Sequence, residues 1–166
     1  MNRLSVGLGL ALFIALGTAG CGDGSETPGG LSASGAWARP TPGGATAGAV
    51  YVTVVADTDD TIVSVNVPAD IAAEAQLHET VEVPDAGADE MEGQGDGEMM
   101  MTMQELESIE LVAGEPFEFA PGKTHIMILD LAEPLTLGQE FTVEFQLESG
   151  RSLPVDVVVA DTAPTE

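Results

Sequence analysis

Phe141-Thr142-Val143-Glu144-Phe145-Gln146-Leu147 alternates apolar and polar residues without a break. Only an extended strand sends successive side chains to opposite faces, so this run specifies a half-exposed antiparallel strand. Ser149-Gly150-Arg151 then supplies hairpin chemistry, and Leu153 to Val159 a returning strand. The same punctuation recurs upstream. Gly48 to Val55 is a strand by residue type, Asp57-Thr58-Asp59-Asp60 a turn, and Thr61 to Val67 a second strand stopped by Pro68. Ala72 to Val83 carries another strand through Leu77-His78-Glu79, and Leu106 to Phe119 is interrupted by a turn at Ala113-Gly114-Glu115-Pro116. Pro121-Gly122 turns the chain into Lys123 to Leu129. Short strands at this spacing predict an all-β chain, either an antiparallel β-sandwich or a Greek-key barrel. With 20 Gly, 10 Pro and only 4% aromatic residues, the composition disfavours a helical bundle.

The segments outside this pattern have their own signatures. One basic residue, Arg3, precedes an uncharged run from Leu4 to Ala19 that ends Thr18-Ala19-Gly20-Cys21. A basic start, a short apolar stretch and small residues at a boundary predict a secretory signal over residues 1–20. The run falls short of the ~20 residues a spanning helix needs. A cysteine behind small residues resembles the lipobox of bacterial lipoproteins, with Thr18 departing from the usual Leu. That resemblance implies lipidation of Cys21, and with it an exported chain on the outer face of the cytoplasmic membrane or in the periplasm. Residues 21–35 read as a flexible tether of Gly, Ser, Thr and Pro. The folded part is expected over 36–160, opening at Ala36-Trp37-Ala38-Arg39-Pro40 with Trp37 as a packing anchor, and 161–166 form a tail. Within the domain, 84–98 has no apolar period, several glycines and six acids, and predicts an exposed loop whose spacing fits no EF-hand.

Charge narrows the functional classes. Four Lys+Arg stand against 28 Asp+Glu, for a net charge of −24. Such a surface repels nucleic acid and anionic lipid. It suits either solubility in a salty habitat or attraction of cations or a basic partner. Cys21 is the single cysteine, so there is neither an internal disulfide framework nor the thiolate that blue-copper sites require. No nucleophile stands at recognisable spacing from a base and an orienting group, and the chain is not expected to be an enzyme.

The remaining signal is a set of soft ligands. His125 and Met127 lie two residues apart in an apolar, β-favouring run, so strand geometry puts both side chains on one face. Met99-Met100-Met101-Thr102-Met103 holds four methionines in five residues, with alternation placing Met99, Met101 and Met103 together. Methionine also fills gaps in cores, and a single strand histidine such as His78 is commonly structural. Taken together, though, imidazoles and thioethers suit monovalent copper, Cu(I), and few other metals.

These residues resemble a family of exported copper chaperones, the PCu(A)C type, which bears the motif His-x10-Met-x21-His-x-Met. Met103 and His125 are separated by 21 residues, and His125-Ile126-Met127 closes the motif. Ala36-Trp37-Ala38-Arg39, Leu77-His78-Glu79, Met101-Thr102-Met103 and Pro121-Gly122-Lys123-Thr124-His125-Ile126-Met127 resemble the family's corresponding stretches, across about residues 36–159. The departure is the His78–Met103 interval, 24 residues instead of 10, an excess close to the length of the acidic stretch. An insertion in a hairpin loop costs on the order of 1 kcal/mol and leaves the strands free to pair. The resemblance implies a cupredoxin-like sandwich holding one Cu(I) through His78, Met103, His125 and Met127, with Met101 as the alternative if the register slips. It also implies delivery of that copper to the copper subunit of cytochrome c oxidase or another copper-transfer protein. A copper-buffering or resistance lipoprotein, and a non-metal adhesion or binding module on the same sandwich, are the competing expectations.

Overall fold

The computed structural model describes residues 24–27, 30–84 and 99–164. The signal segment, Cys21 and residues 85–98 of the acidic insertion lie outside these, as do 165 and 166. Eleven strands appear among the described residues: β1 (Gly24–Thr27), β2 (Leu31–Ala38), β3 (Ala47–Val55), β4 (Asp60–Asn66), β5 (Ala72–Pro84), β6 (Met99–Leu106), β7 (Ile109–Leu111), β8 (Pro116–Phe119), β9 (Thr124–Leu131), β10 (Glu140–Leu147) and β11 (Ser152–Val159). They follow the order β6-β5-β9-β3-β2-β11-β10-β4-β7, with β1 on β2 and β8 on β3. The path does not close, because β6 and β7 stand at its two ends.

This hydrogen-bonded path is folded over into a sandwich. From β8 through β3, β2 and β11 to β10 is four strand spacings of about 4.8 Å each, so a flat sheet would hold them far apart. Phe119 of β8 nevertheless lies 5.6 Å from Phe145 of β10, ring centre to ring centre. The halves therefore face each other across a core of Leu31, Val50, Val54, Ile62, Ile126, Ile128, Val143 and Leu153, all fully buried. Gly48 in β3 permits part of this packing: a Cβ there would stand 3.2 Å from side-chain atoms of Ile128 and Leu135. Trp37 packs against Tyr51 at 4.9 Å, and the Arg39 guanidinium lies over the Trp37 ring.

The all-β sandwich is as expected, and two details differ from the expectation. The expected tether over 21–35 contains β1 and most of β2, with Leu31 and Ala33 buried in the core. The period-2 burial of Leu31-Ser32-Ala33 is obscured in the sequence by the surrounding Gly and Ser. The sheet is also not wholly antiparallel, since β11 runs parallel to β2 through Val158 opposite Trp37 and Val159 opposite Ala38.

A polar clasp joins the β3–β4 turn to the β10–β11 hairpin. Asp60, its side chain 4% exposed, accepts hydrogen bonds from the Thr61 N–H, from Ser149 through N–H and hydroxyl, and from the Arg151 guanidinium, which also reaches Asp57. Burial pushes the Asp60 carboxyl up, but the bonds from Ser149, Thr61 and Arg151 outweigh it and lower the pKa to about 2 from 3.8. A carboxyl depressed in the folded state contributes stability that is present above the unfolded pKa and lost as pH falls through the folded one. Asp60→Asn is expected to cost on the order of 2 kcal/mol at neutral pH. It should also flatten the decline in urea midpoint between about pH 4 and about pH 2. An unchanged decline in the variant would remove Asp60 as its source.

Candidate metal centre

Strands β6, β5 and β9 lie side by side at one end of the sheet path and carry all the expected ligands. The turn that starts β9 is set locally. Lys123 donates its N–H to the Ala120 carbonyl at 3.1 Å, and Gly122 takes φ 75°. Proline at the second turn position and glycine at the third make a type II turn, and His125 follows on the first ladder rungs of β9.

Cross-strand pairing then fixes which side chains meet. His78 stands directly opposite His125, Gln76 opposite Met127, Thr80 opposite Met103 and Glu82 opposite Met101. Directly paired residues share a face, so His78, Met101, Met103, His125 and Met127 all project from the same side of the three strands. On β5 and β9 the other side is core, filled by Leu77, Ile126 and Ile128, whereas Thr102 and Gln104 on that side of β6 are exposed.

The histidine pair forms the middle row, with ring centroids 6.2 Å apart and planes at 40°. Two imidazoles sharing one ion, each nitrogen about 2 Å from it, would have ring centres about 5–6 Å apart, depending on the angle at the ion. Met127 lies one row along β9 in one direction, and Met103 one row along β6 in the other. Each is a diagonal neighbour of the row, at about 7–8 Å between backbones, within reach of a long flexible thioether. Met101 is a further row out. Met103 and Met101 are exposed, at 57% and 62%, whereas His125 is only 5% exposed and Met127 half-buried.

The hydrogen bonds identify the free nitrogens. His125 Nδ1 lies 2.9 Å from the Lys123 carbonyl, which can only accept, so Nδ1 carries the proton and Nε2 the lone pair. His78 Nε2 lies 2.9 Å from Gln76 Oε1, again an acceptor, which leaves Nδ1 as the lone-pair nitrogen. Among the described residues that Nδ1 is the buried side-chain nitrogen or oxygen with no hydrogen-bond partner. Burial, then the neighbouring His125, lower the His78 pKa against an opposing pull from Glu105. Both effects favour the neutral imidazole that a metal needs. Among the described residues no group of three or more His, Cys, Asp or Glu is placed to hold a metal. Sequence reasoning missed Gln76 and Glu105, which pairs directly with His78. The same-face i, i+2 spacing of Gln76 and His78 was the available signal for the first.

Comparison with known proteins follows the same line. Residues 31–159 match the family model described as "Putative lipoprotein LpqE-like". A relative from Leifsonia xyli subsp. xyli, "Putative lipoprotein Lxx21020", is 33% identical over 157 residues, covering 89% of this chain and 85% of its own length. Among solved structures, the apo PCuAC domain of PmoF1 superposes with a TM-score of 0.59 at 20% identity, over 84% of this chain and 99% of that one. The copper-bound PCuAC domain of PmoF2 gives 0.58 at 20% identity, over 84% and 98%. The solution structure of CuI-DR1885 from Deinococcus radiodurans gives 0.50 at 20% identity, over 77% and 76%. At these identities the structures establish a shared cupredoxin-like fold.

Proposed function

Because the chain belongs to the LpqE-like lipoprotein family, we propose that it is an exported copper chaperone, anchored through lipidated Cys21, that carries one Cu(I) and passes it on. The observation that carries this reading is the paired row of His78 and His125, with a buried lone-pair nitrogen on His78 that no protein group satisfies. An unsatisfied buried polar atom costs about 1–3 kcal/mol, and an arriving ion offsets that cost. His78, His125, Met127 and Met103 are the ligands by this reading, with Met101 the alternative to Met103. The copper-bound and Cu(I) states named for two proteins of the same fold support the choice of metal.

Four neutral ligands leave the bound ion its single positive charge and release no thiol protons. Met103 projects from an end strand and is exposed, so a partner's ligand can replace it before the buried His125 lets go. That stepwise exchange suits delivery to a copper-transfer protein, with the copper subunit of cytochrome c oxidase as the recipient this reading names. The net charge of −24 favours a basic or cation-loaded partner through the encounter rate, and the effect weakens with salt. The role is binding and transfer, with no catalytic step.

The test is a Cu(I) competition titration of the chain against a chromogenic chelator under reducing conditions. One equivalent is expected to bind. Met103→Leu should weaken it by about tenfold or more, and Met101→Leu should leave it within about twofold. Absence of binding would sink the reading, and the reverse order of the two leucine variants would transfer the ligand role to Met101.

A further inference from the structure

On the exposed face of β5, Glu74, Gln76 and His78 follow one another at every second residue and are linked end to end. The Gln76 amide donates to Glu74 Oε1 at 2.9 Å, and Gln76 Oε1 accepts from His78 Nε2–H at 2.9 Å. The amide therefore has a fixed sense. Its NH2 faces a carboxylate that can only accept, so its oxygen faces the imidazole. An imidazole has two tautomers, and which nitrogen keeps the lone pair is set by the bond the other makes.

Resting on the copper reading above, we propose that Gln76 is a positioning residue that holds His78 in the Nε2–H tautomer, so that His78 meets the ion through Nδ1 while His125 meets it through Nε2. The two histidines of one row thus present chemically different nitrogens. For His125 the orienting acceptor is a backbone carbonyl, which mutation cannot remove. For His78 it is a side chain, and the assignment is open to direct test. The Nδ1 atom lies nearer the backbone than Nε2, so its use draws the ion in toward β5 and the buried His125. Binding through Nε2 would instead require breaking the Gln76 bond and turning the ring. Gln76 is also the residue paired with Met127, which puts the orienting amide beside a proposed thioether ligand.

The experiment uses the full chain with 15N-labelled histidine and silver(I), a closed-shell spin-½ stand-in for Cu(I). Long-range 1H–15N correlation in the metal-free chain is expected to show His78 protonated at Nε2. With silver bound, one-bond coupling should appear at His78 Nδ1 and His125 Nε2. Gln76→Leu removes the acceptor. It is expected to mix the His78 tautomers and to lower silver affinity by about tenfold. Gln76→Glu keeps an acceptor oxygen and should restore both readouts. Protonation at Nδ1 in the metal-free chain, silver coupling at His78 Nε2, or a Gln76→Leu spectrum identical to the parent would each overturn the assignment. If the parent chain takes up no silver or copper, the copper reading falls. The metal-free tautomers of the parent and the two variants then still decide whether Gln76 orients His78.

Discussion

His125→Ala is expected to abolish one-to-one Cu(I) uptake, lowering affinity at least about a hundredfold, while leaving the sandwich folded. The fold should survive because β9 is held from its other side, by Ile126 and Ile128 in the core and by ladders to β3 and β5. The one hydrogen bond lost is Nδ1–H to the Lys123 carbonyl, and that carbonyl still accepts from the Thr80 N–H at 3.2 Å, so no acceptor is orphaned. A stability cost of about 1 kcal/mol follows, small against the ~5–15 kcal/mol of a typical domain. His78→Leu should separate function from stability further. It removes a buried nitrogen that has no partner together with the Nε2–H bond to Gln76, so the variant is expected to stay within about 1 kcal/mol of the parent, yet be unable to hold copper. Urea unfolding and the chelator titration measure the two quantities on the same samples. If His78→Leu destabilised the chain by several kcal/mol while His125→Ala still bound copper, both histidines would be structural, and the face they share would have some other use.

Much of the candidate site's arrangement is legible in the amino-acid sequence because a strand has period two. His125-Ile126-Met127 can place its outer members only on one face, and the sandwich expected from Phe141 to Leu147 and its hairpin supplies a core for Ile126. The 21-residue interval between Met103 and His125 is intact because the extra residues enter elsewhere, between β5 and β6. Choosing between Met103 and Met101 requires the pairing register, since both occupy the same face and only Thr80 opposite Met103 puts one of them beside His78. Register between strands is a property of two segments, and neither segment states it alone. The same reason hides the parallel β2–β11 pair, whose partners are 121 residues apart from Trp37 to Val158. The start of β2 is hidden differently. Leu31 and Ala33 carry the right alternation, but their neighbours are residues that also make good tethers, and composition outweighs periodicity.

The largest stability loss is expected where the folded-over halves meet. Phe145→Ala should cost about 3–5 kcal/mol. Phe145 is 1% exposed, pairs with Leu153 on one side and Val65 on the other, and stacks on Phe119 across the core, which in turn meets Phe117 at 5.1 Å. Removing the ring leaves a cavity bounded by strands of both halves, and hydrogen-bonded ladders cannot move inward to fill it. Val63→Ala, on the exposed side of β4, should change stability by less than about 0.5 kcal/mol and serves as the comparison. Strands β5 and β9 pack Leu77, Ile126 and Ile128 against this same interior, so on the copper reading an ion held on their outer face is linked to folding. An ion that binds only the folded chain stabilises it by about 2.7 kcal/mol at a free concentration one hundred times the dissociation constant. Phe145→Ala is therefore expected to unfold at much lower urea when metal-free and to recover most of the deficit when Cu(I) is present at that excess. His125→Ala should gain nothing from the metal. Equal recovery in both variants would mean that copper binds somewhere other than the His78–His125 row.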